Sequence, residues 1–250
     1  MKAPLDPAFL TTPIAHRGLH DRVKGVIENS RAAMRAAMEA GYGIEMDLQL
    51  SADGEAMVFH DDDLMRLTGQ SGKVRDKTAA ELGRIGLTDG GETIPTLGEI
   101  LNLVAGRAPL LIEAKDQSLV LGPVKGVLER RVAALLADYE GPVALMSFNP
   151  HSVAHFRDAA PKIARGRVTC AFDADDWPAV APDRRAELAK IDDLDALTAS
   201  FISHQQDQLE GALMAKQAGY PVLCWTVRSR EREAAARNIA DNITFEGYRA

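Results

Sequence analysis

The chain has 250 residues, a formal net charge of -7 and 46% hydrophobic residues, which suits one large α/β domain with an ordinary core. The acidic balance argues against a general nucleic-acid binder, whose footprint is usually basic, but not against a small anionic substrate met by a local cationic cluster. No apolar run approaches the ~18 residues that would span a bilayer, so no integral membrane segment is expected.

The start, "MKAPLDPAFLTTP", has one lysine and no long apolar stretch, and does not read as a secretory signal. The two cysteines, Cys170 and Cys224, form no C-x-x-C and sit in apolar surroundings, so two buried thiols and a cytoplasmic location are expected. The first candidate strand is "PIAH" (13–16), which ends abruptly in His16, Arg17 and Gly18. "NSRAAMRAAMEAG" (29–41) follows as a helix, with Asn29 or Ser30 as its cap, Met34 and Met38 on one face and Gly41 at its end. "GIEMD" (43–47) is the second strand.

Asp53-Gly54 signals a two-residue hairpin between alternating segments. Cross-strand partners then have numbers summing to 107: Ala52 with Glu55, Leu50 with Met57 and, further in, Asp47 with His60. Residues 61–108 form a long gap containing two helix candidates, "DKTAAELGRI" and "TLGEILNLVAG", and are read as holding a small insertion that caps the mouth of the fold. Beyond it, "PLLIEA" (109–114), "PVALMSF" (142–148), "KIARGRV" (162–168), "ASFIS" (199–203), "PVLCWTV" (221–227) and "NITFE" (242–246) are strands. Helical patterns separate most of them, the longest being "SLVLGPVKGVLERRVAALLADY" (118–139). Others are "NPHSVAHFRDA", "QDQLEGALMAKQAG" and "SREREAAARNIA". Eight strands alternating with helices point to a TIM (β/α)8 barrel in a single domain, with an open doubly wound sheet as the competitor.

Active sites of such barrels gather at the carboxyl ends of the strands. Those ends carry His16-Arg17, Glu45 and Asp47, Glu113-Ala114-Lys115 and, on the returning hairpin, His60. Glu45 and Asp47 share a strand face by their period of two. With Glu113 they make an all-oxygen set suited to Mg²⁺ or Ca²⁺; the alternative is a structural network neutralised by Arg17 and Lys115. Two imidazoles can divide proton transfer between them. Arg17 offers a planar fork to phosphate oxygens and Lys115 a point charge. Together these groups suggest displacement at phosphorus. His20, His151, His155 and His204 lack such company and read as structural. No Walker, Rossmann or G-x-S-x-G pattern occurs in a supporting context.

The run "AHRG…IENS…GIEMDLQLSADGEAMVFHDDDLMRLTG", followed by "IPTLGEIL", "LLIEAK", "MSFNP", "VLCWTV" and "ADNITFEGYR", resembles the glycerophosphodiester phosphodiesterase family over nearly the whole chain. The resemblance implies a TIM-barrel hydrolase with one divalent metal, Mg²⁺ or Ca²⁺, held by Glu45, Asp47 and Glu113. It implies His16 and His60 as the acid/base pair, Arg17 and Lys115 as phosphate contacts, Trp225 in the substrate cleft and Asn29 near the substrate. The implied reaction releases sn-glycerol 3-phosphate and an alcohol through a cyclic phosphate. The alternatives are a phospholipase-type lyase that stops at the cyclic product and a noncatalytic phosphodiester-binding protein. Two positions depart from the family pattern. Ile27 replaces a usual proline, and Thr244-Phe245-Glu246 stands where T-D is usual, which leaves Glu246 without an inherited role. The alcohol group, the choice of metal, the order of the two histidines and the oligomeric state stay open.

Overall fold

In the computed structural model, which describes residues 2–250, eight short parallel strands close on themselves. They are β1 (Ile14–Ala15), β2 (Gly43–Leu50), β4 (Leu110–Ala114), β5 (Val143–Ser147), β6 (Ala164–Thr169), β7 (Phe201–Gln205), β8 (Val222–Val227) and β9 (Asn242–Phe245). β3 (Ala56–Val58) lies outside the ring, antiparallel to β2. Closure comes from β1, which pairs in parallel with both β2 and β9. The open-sheet competitor is thereby excluded, and the fold is a TIM barrel.

Side-chain alternation explains why both faces of these strands are apolar. Ile14, Leu111, Ala144, Ala164, Phe201 and Leu223 point inward and pack together in the lower barrel. Ile44, Met46, Ile112, Leu145, Ile202 and Val222 alternate with them and meet the helices. The bottom is plugged by Phe9 of the helix Ala8–Thr11. Asn242 ties that plug down, donating from Nδ2 to the carbonyls of Phe9 (2.8 Å) and Thr12 (2.7 Å). Phe9 and Phe201 are wholly buried, each contributing roughly 1.5–3 kcal/mol of transfer free energy. Cys170 and Cys224 are buried free thiols, and among the described residues no helix is long and apolar enough to cross a membrane.

Of the two candidate caps for the helix Arg31–Glu39, Ser30 does the capping, its Oγ accepting from Ala33 N–H at 3.1 Å. The long helix expected over 118–139 is confined to Val127–Leu136. Pro123 cannot donate to a helix ladder, and Asp116 instead holds the preceding loop by accepting from the backbone of Ser118 (3.0 Å) and Leu121 (2.8 Å).

The hairpin register differs by one residue from the sequence reading. The pairs are Leu48–Val58, Gln49–Met57 and Leu50–Ala56, because the loop is three residues long. Ser51 N–H donates to Glu55 O at 3.0 Å, and Gly54 takes the left-handed conformation at φ +85°, the form of a three-residue turn closed by a glycine. Asp47 therefore faces Phe59, whose N–H donates to Asp47 O at 3.0 Å, and not His60. On a continuous strand such a slip would turn His60 to the wrong face. β3 ends at Val58, so His60 lies beyond the ladder and is free to turn inward.

Residues 61–96 contain one-turn helices at Met65–Thr68 and Ala79–Leu82. Leu64, Leu67, Val74, Leu82 and Ile94 form a small core with Met57 and Phe59 of the hairpin and Ile27. The helix Leu97–Val104, by contrast, packs into the main helix layer.

Candidate active site

The strand register brings the acidic residues together. Asp47 lies level with Glu113 on the neighbouring strand, and Glu45 sits two residues below on the same inward face. One oxygen from each of the three comes within 4.8 Å of the others, and all three residues are buried. They line a cavity of about 190 Å³ with His16, Arg17, His60, Lys115, Phe148 and Trp225 around it.

Two cations face three carboxylates. Lys115 Nζ is 2.8 Å from Glu113 Oε1 and 3.5 Å from Asp47 Oδ1, and Arg17 Nε is 3.3 Å from Asp47 Oδ2. Among the described residues, Glu45 has no lysine or arginine side chain in hydrogen-bond reach, and the one hydrogen bond its side chain accepts comes from the Arg17 backbone N–H at 2.8 Å. Burial, reinforced by the charges of Asp47 and Glu113, pushes the Glu45 carboxyl well above the usual carboxylate range. For Asp47, burial acts upward too, but the charges of His60, Lys115 and Arg17 outweigh it and hold the group well below that range. Lys115 is buried, yet Glu113 and Asp47 raise its pKa. An all-oxygen trio left with net negative charge, one member poorly compensated, fits a hard divalent cation.

Each histidine is backed by a carboxylate. His16 Nδ1 lies 2.6 Å from Glu246 Oε2, and His60 Nδ1 lies 2.6 Å from Asp61 Oδ1. A carboxylate can only accept, so each Nδ1 carries the proton and each Nε2 is left to exchange one. His16 Nε2 is 4.0 Å from Glu45 Oε2, inside the site. Burial lowers the His16 pKa, and the hydrogen bond and charge of Glu246 partly offset that shift. Trp225 is held by Nε1 donating to Ser203 O at 3.0 Å and stands edge-on to Phe148 at 5.4 Å.

Among the candidates read from the sequence, Asn29 alone does not line the cavity. It is buried behind Asp47, donating from Nδ2 to Asp47 Oδ2 (2.9 Å) and accepting from Asp47 N–H (3.2 Å). Its amide is occupied in fixing that carboxylate from behind. Gly18, next to Arg17, packs against the backbone of Ala33 in the helix Arg31–Glu39.

A model of the glycerophosphoryl diester phosphodiesterase family matches residues 16–242. The chain belongs to this family. It is 38% identical over 165 residues to the glycerophosphodiester phosphodiesterase of Caldanaerobacter subterraneus, a match covering 62% of this chain and 65% of that protein. It is 33% identical over 169 residues to that of Bacillus altitudinis, covering 64% and 67% respectively. The match thus spans about two thirds of the length of these curated relatives. Among solved structures, a phosphodiesterase of Oleispira antarctica in complex with the product sn-glycerol-3-phosphate superposes with a TM-score of 0.77 at 25% identity, covering 96% of this chain and 94% of that one. A glycerophosphodiester phosphodiesterase of Parabacteroides distasonis, at 22% identity and a TM-score of 0.71, shares the fold over 94% and 92%.

In this member of the glycerophosphoryl diester phosphodiesterase family, four contributors to the site escape sequence reading. Glu246 orients His16 and also receives Arg228 Nε at 2.8 Å. Its signal is the period of two that puts it on the inward face with Thr244. Asp61, next to His60, orients that imidazole. Glu28 accepts from Arg17 Nη1 at 2.6 Å, and its signal is adjacency to Asn29. Arg66 bonds both Glu28 and Asp61, and nothing in the sequence marks it. His20 stands 3.6 Å from Glu246 Oε2 and does not line the catalytic cavity.

Proposed function

We propose that this protein is a divalent-metal-dependent glycerophosphodiester phosphodiesterase, releasing sn-glycerol 3-phosphate and an alcohol. The observation that carries the reading is the pair of carboxylate-backed imidazoles opening onto one cavity with a three-carboxylate floor and two cations. The relative bound to sn-glycerol-3-phosphate supports the product assignment.

Glu45, Asp47 and Glu113 would hold Mg²⁺ or Ca²⁺, which supplies Lewis-acid polarisation of the phosphate and dispersal of its charge. Arg17 and Lys115 bind the phosphate oxygens and balance charge as it builds on them. Trp225 and Phe148 form the apolar wall against which the substrate packs. In the first step a glycerol hydroxyl oxygen attacks phosphorus, and one histidine Nε2 takes its proton. The other histidine gives a proton to the departing alcohol oxygen as the P–O bond breaks. Water then opens the resulting cyclic phosphate with the two proton roles reversed, which restores both imidazoles. Asn29 keeps Asp47 in place throughout. The chain works as one barrel domain, with residues 61–96 capping the mouth. Its two free buried thiols suit a reducing, cytoplasmic setting.

The test is glycerol 3-phosphate release from glycerophosphocholine, glycerophosphoethanolamine, glycerophosphoglycerol and glycerophosphoinositol, each with Mg²⁺, Ca²⁺ or EDTA. Metal-dependent release is expected, with loss of turnover in His16→Ala and in His60→Ala while bound metal is retained. Near-wild-type rates in either variant would remove that histidine from the mechanism. Accumulation of cyclic glycerol phosphate without its opening would establish a lyase instead.

A further inference from the structure

The two sides of the cavity are joined by one side chain from outside it. Arg66 lies on the one-turn helix Met65–Thr68 of the segment following the hairpin. Its guanidinium donates from Nη1 to Glu28 Oε2 (2.9 Å) and from Nη2 to Glu28 Oε1 (2.8 Å). The same group donates from Nε to Asp61 Oδ2 (2.6 Å) and from Nη2 to Asp61 Oδ1 (3.0 Å). Each carboxylate has one further partner. Asp61 Oδ1 takes His60 Nδ1 at 2.6 Å, and Glu28 Oε1 takes Arg17 Nη1 at 2.6 Å. An unbroken chain of charged contacts therefore runs from His60 through Asp61, Arg66 and Glu28 to Arg17.

We propose that Arg66 is a positioning residue that sets the proton-carrying His60 and the phosphate-binding Arg17 in register with each other. The assignment of roles to His60 and Arg17 rests on the phosphodiesterase reading; the linkage does not.

Three observations support it. A single exposed ion pair contributes little, but a guanidinium that forks to two carboxylates at once has fixed geometry and forms a network. Arg66 is itself held in place, since Leu64 and Leu67 on either side of it are buried with Met57 and Phe59 in the small core. Asp63 Oδ1 also caps the turn by accepting from Met65 N–H at 2.7 Å. Finally, among the described residues, neither Glu28 nor Asp61 has another cationic side chain in reach except the two active groups themselves. Removing Arg66 leaves two anions near each other, free to pull His60 and Arg17 out of place. The capping segment thereby gains a role beyond covering the mouth, because it delivers the clamp that aligns the site.

The experiment compares wild type, Arg66→Ala and Arg66→Lys by melting temperature, by kcat and KM on glycerophosphocholine, and by the NMR signal of the His60 Nδ1–H proton. Misplacement on the ångström scale costs on the order of 10–100-fold in rate, so Arg66→Ala should lose that much kcat and also raise KM. Arg66→Lys should recover only a minor part, because an ammonium is a point charge and cannot fork to two carboxylates. Added guanidinium ion should restore part of the Arg66→Ala activity. The His60 Nδ1–H signal should broaden or vanish in Arg66→Ala. Wild-type kcat and KM in Arg66→Ala, full recovery by Lys, or an unchanged His60 signal would each overturn the proposal. If Arg66→Ala does not fold, Arg66→Lys and Asp61→Asn carry the same comparison. Should the wild type turn over no glycerophosphodiester, the functional reading fails, while the His60 signal still decides the role of Arg66.

Discussion

Gly18 follows His16 and Arg17 directly, and its replacement by alanine tests how the site is anchored to the barrel. Its backbone is left-handed at φ +77°, and a Cβ there would lie 2.8 Å from both the carbonyl carbon and the Cβ of Ala33. Those atoms belong to the capped first turn of the helix Arg31–Glu39, so they cannot swing aside as the end of a long side chain would. Gly18 N–H also donates to Ala15 O (3.2 Å) and Glu45 O (3.1 Å), and Leu19 N–H to Ala33 O (3.0 Å), which pins the segment on both sides. The left-handed conformation costs alanine about 1 kcal/mol, and overpacking against backbone adds about 1–3 kcal/mol. Gly18→Ala should therefore destabilise the fold by about 2–4 kcal/mol, which lowers the melting temperature of a chain this size by roughly 4–16 °C. Gly54→Ala is the internal control. It has the same sign of φ, +85°, but a methyl added there meets nothing within 4 Å, so only the backbone cost of about 1 kcal/mol applies. Calorimetric melts of the two variants, run with the glycerol 3-phosphate release assay, separate the two contributions. The clash should also push Arg17 off the phosphate, so Gly18→Ala should lose activity where Gly54→Ala does not. Equal melting temperatures in the two variants would refute the packing argument.

Glu45→Gln removes a buried carboxyl whose ionisation burial and its neighbours oppose, so in EDTA the variant should melt no lower than wild type. The rise in melting temperature that wild type gains from Mg²⁺ or Ca²⁺, a linkage effect of binding to the folded state, should disappear; a variant that keeps it would show that Glu45 is no ligand. Burial would raise the Glu28 pKa, but Arg66 and Arg17 outweigh it and lower it from 4.5 to about 2. A depressed carboxyl stabilises the fold above its unfolded pKa and loses that contribution as pH falls through the folded one. The stability gap between wild type and Glu28→Gln should thus be full above about pH 5, on the order of 3 kcal/mol, and close towards about pH 2. A gap independent of pH in denaturant titrations would contradict this. Glu246→Gln keeps an acceptor for His16 Nδ1 but loses the charge, and kcat should fall by on the order of tenfold or more; an unchanged kcat would show that His16 is oriented without it.

The barrel is legible in the sequence because inward and outward positions are both apolar and each strand is bounded by a turn or cap. The same period of two places Glu45 and Asp47 on one face, and the strand ends collect His16, Arg17, Glu113 and Lys115. Local geometry is where the reading slips. Asp53-Gly54 marks a hairpin equally well whether its loop has two residues or three, and only the left-handed Gly54 decides, which moves the partner of Asp47 from His60 to Phe59. Helical composition likewise runs on through 118–126, while Pro123 and the side-chain bonds of Asp116 hold that stretch as a loop.

What sequence periodicity cannot supply is the pairing of charges across the fold. Period tells which residues share a face; it does not tell which carboxylate orients which imidazole. Asp61 lies beside His60 in the chain, whereas Glu246 is 230 residues from His16 and meets it only because β9 closes the ring against β1. Arg66 is harder still, since its place depends on the small core that seats its helix and on two carboxylates from different loops. The groups expected to perform chemistry sit at strand ends, where the barrel itself fixes them. Those that orient them come from loops, so their contribution should appear in kcat and in the imidazole signals more than in melting temperature. Arg66→Lys is the variant that separates these effects, because it keeps the charge and the small core while removing the fork.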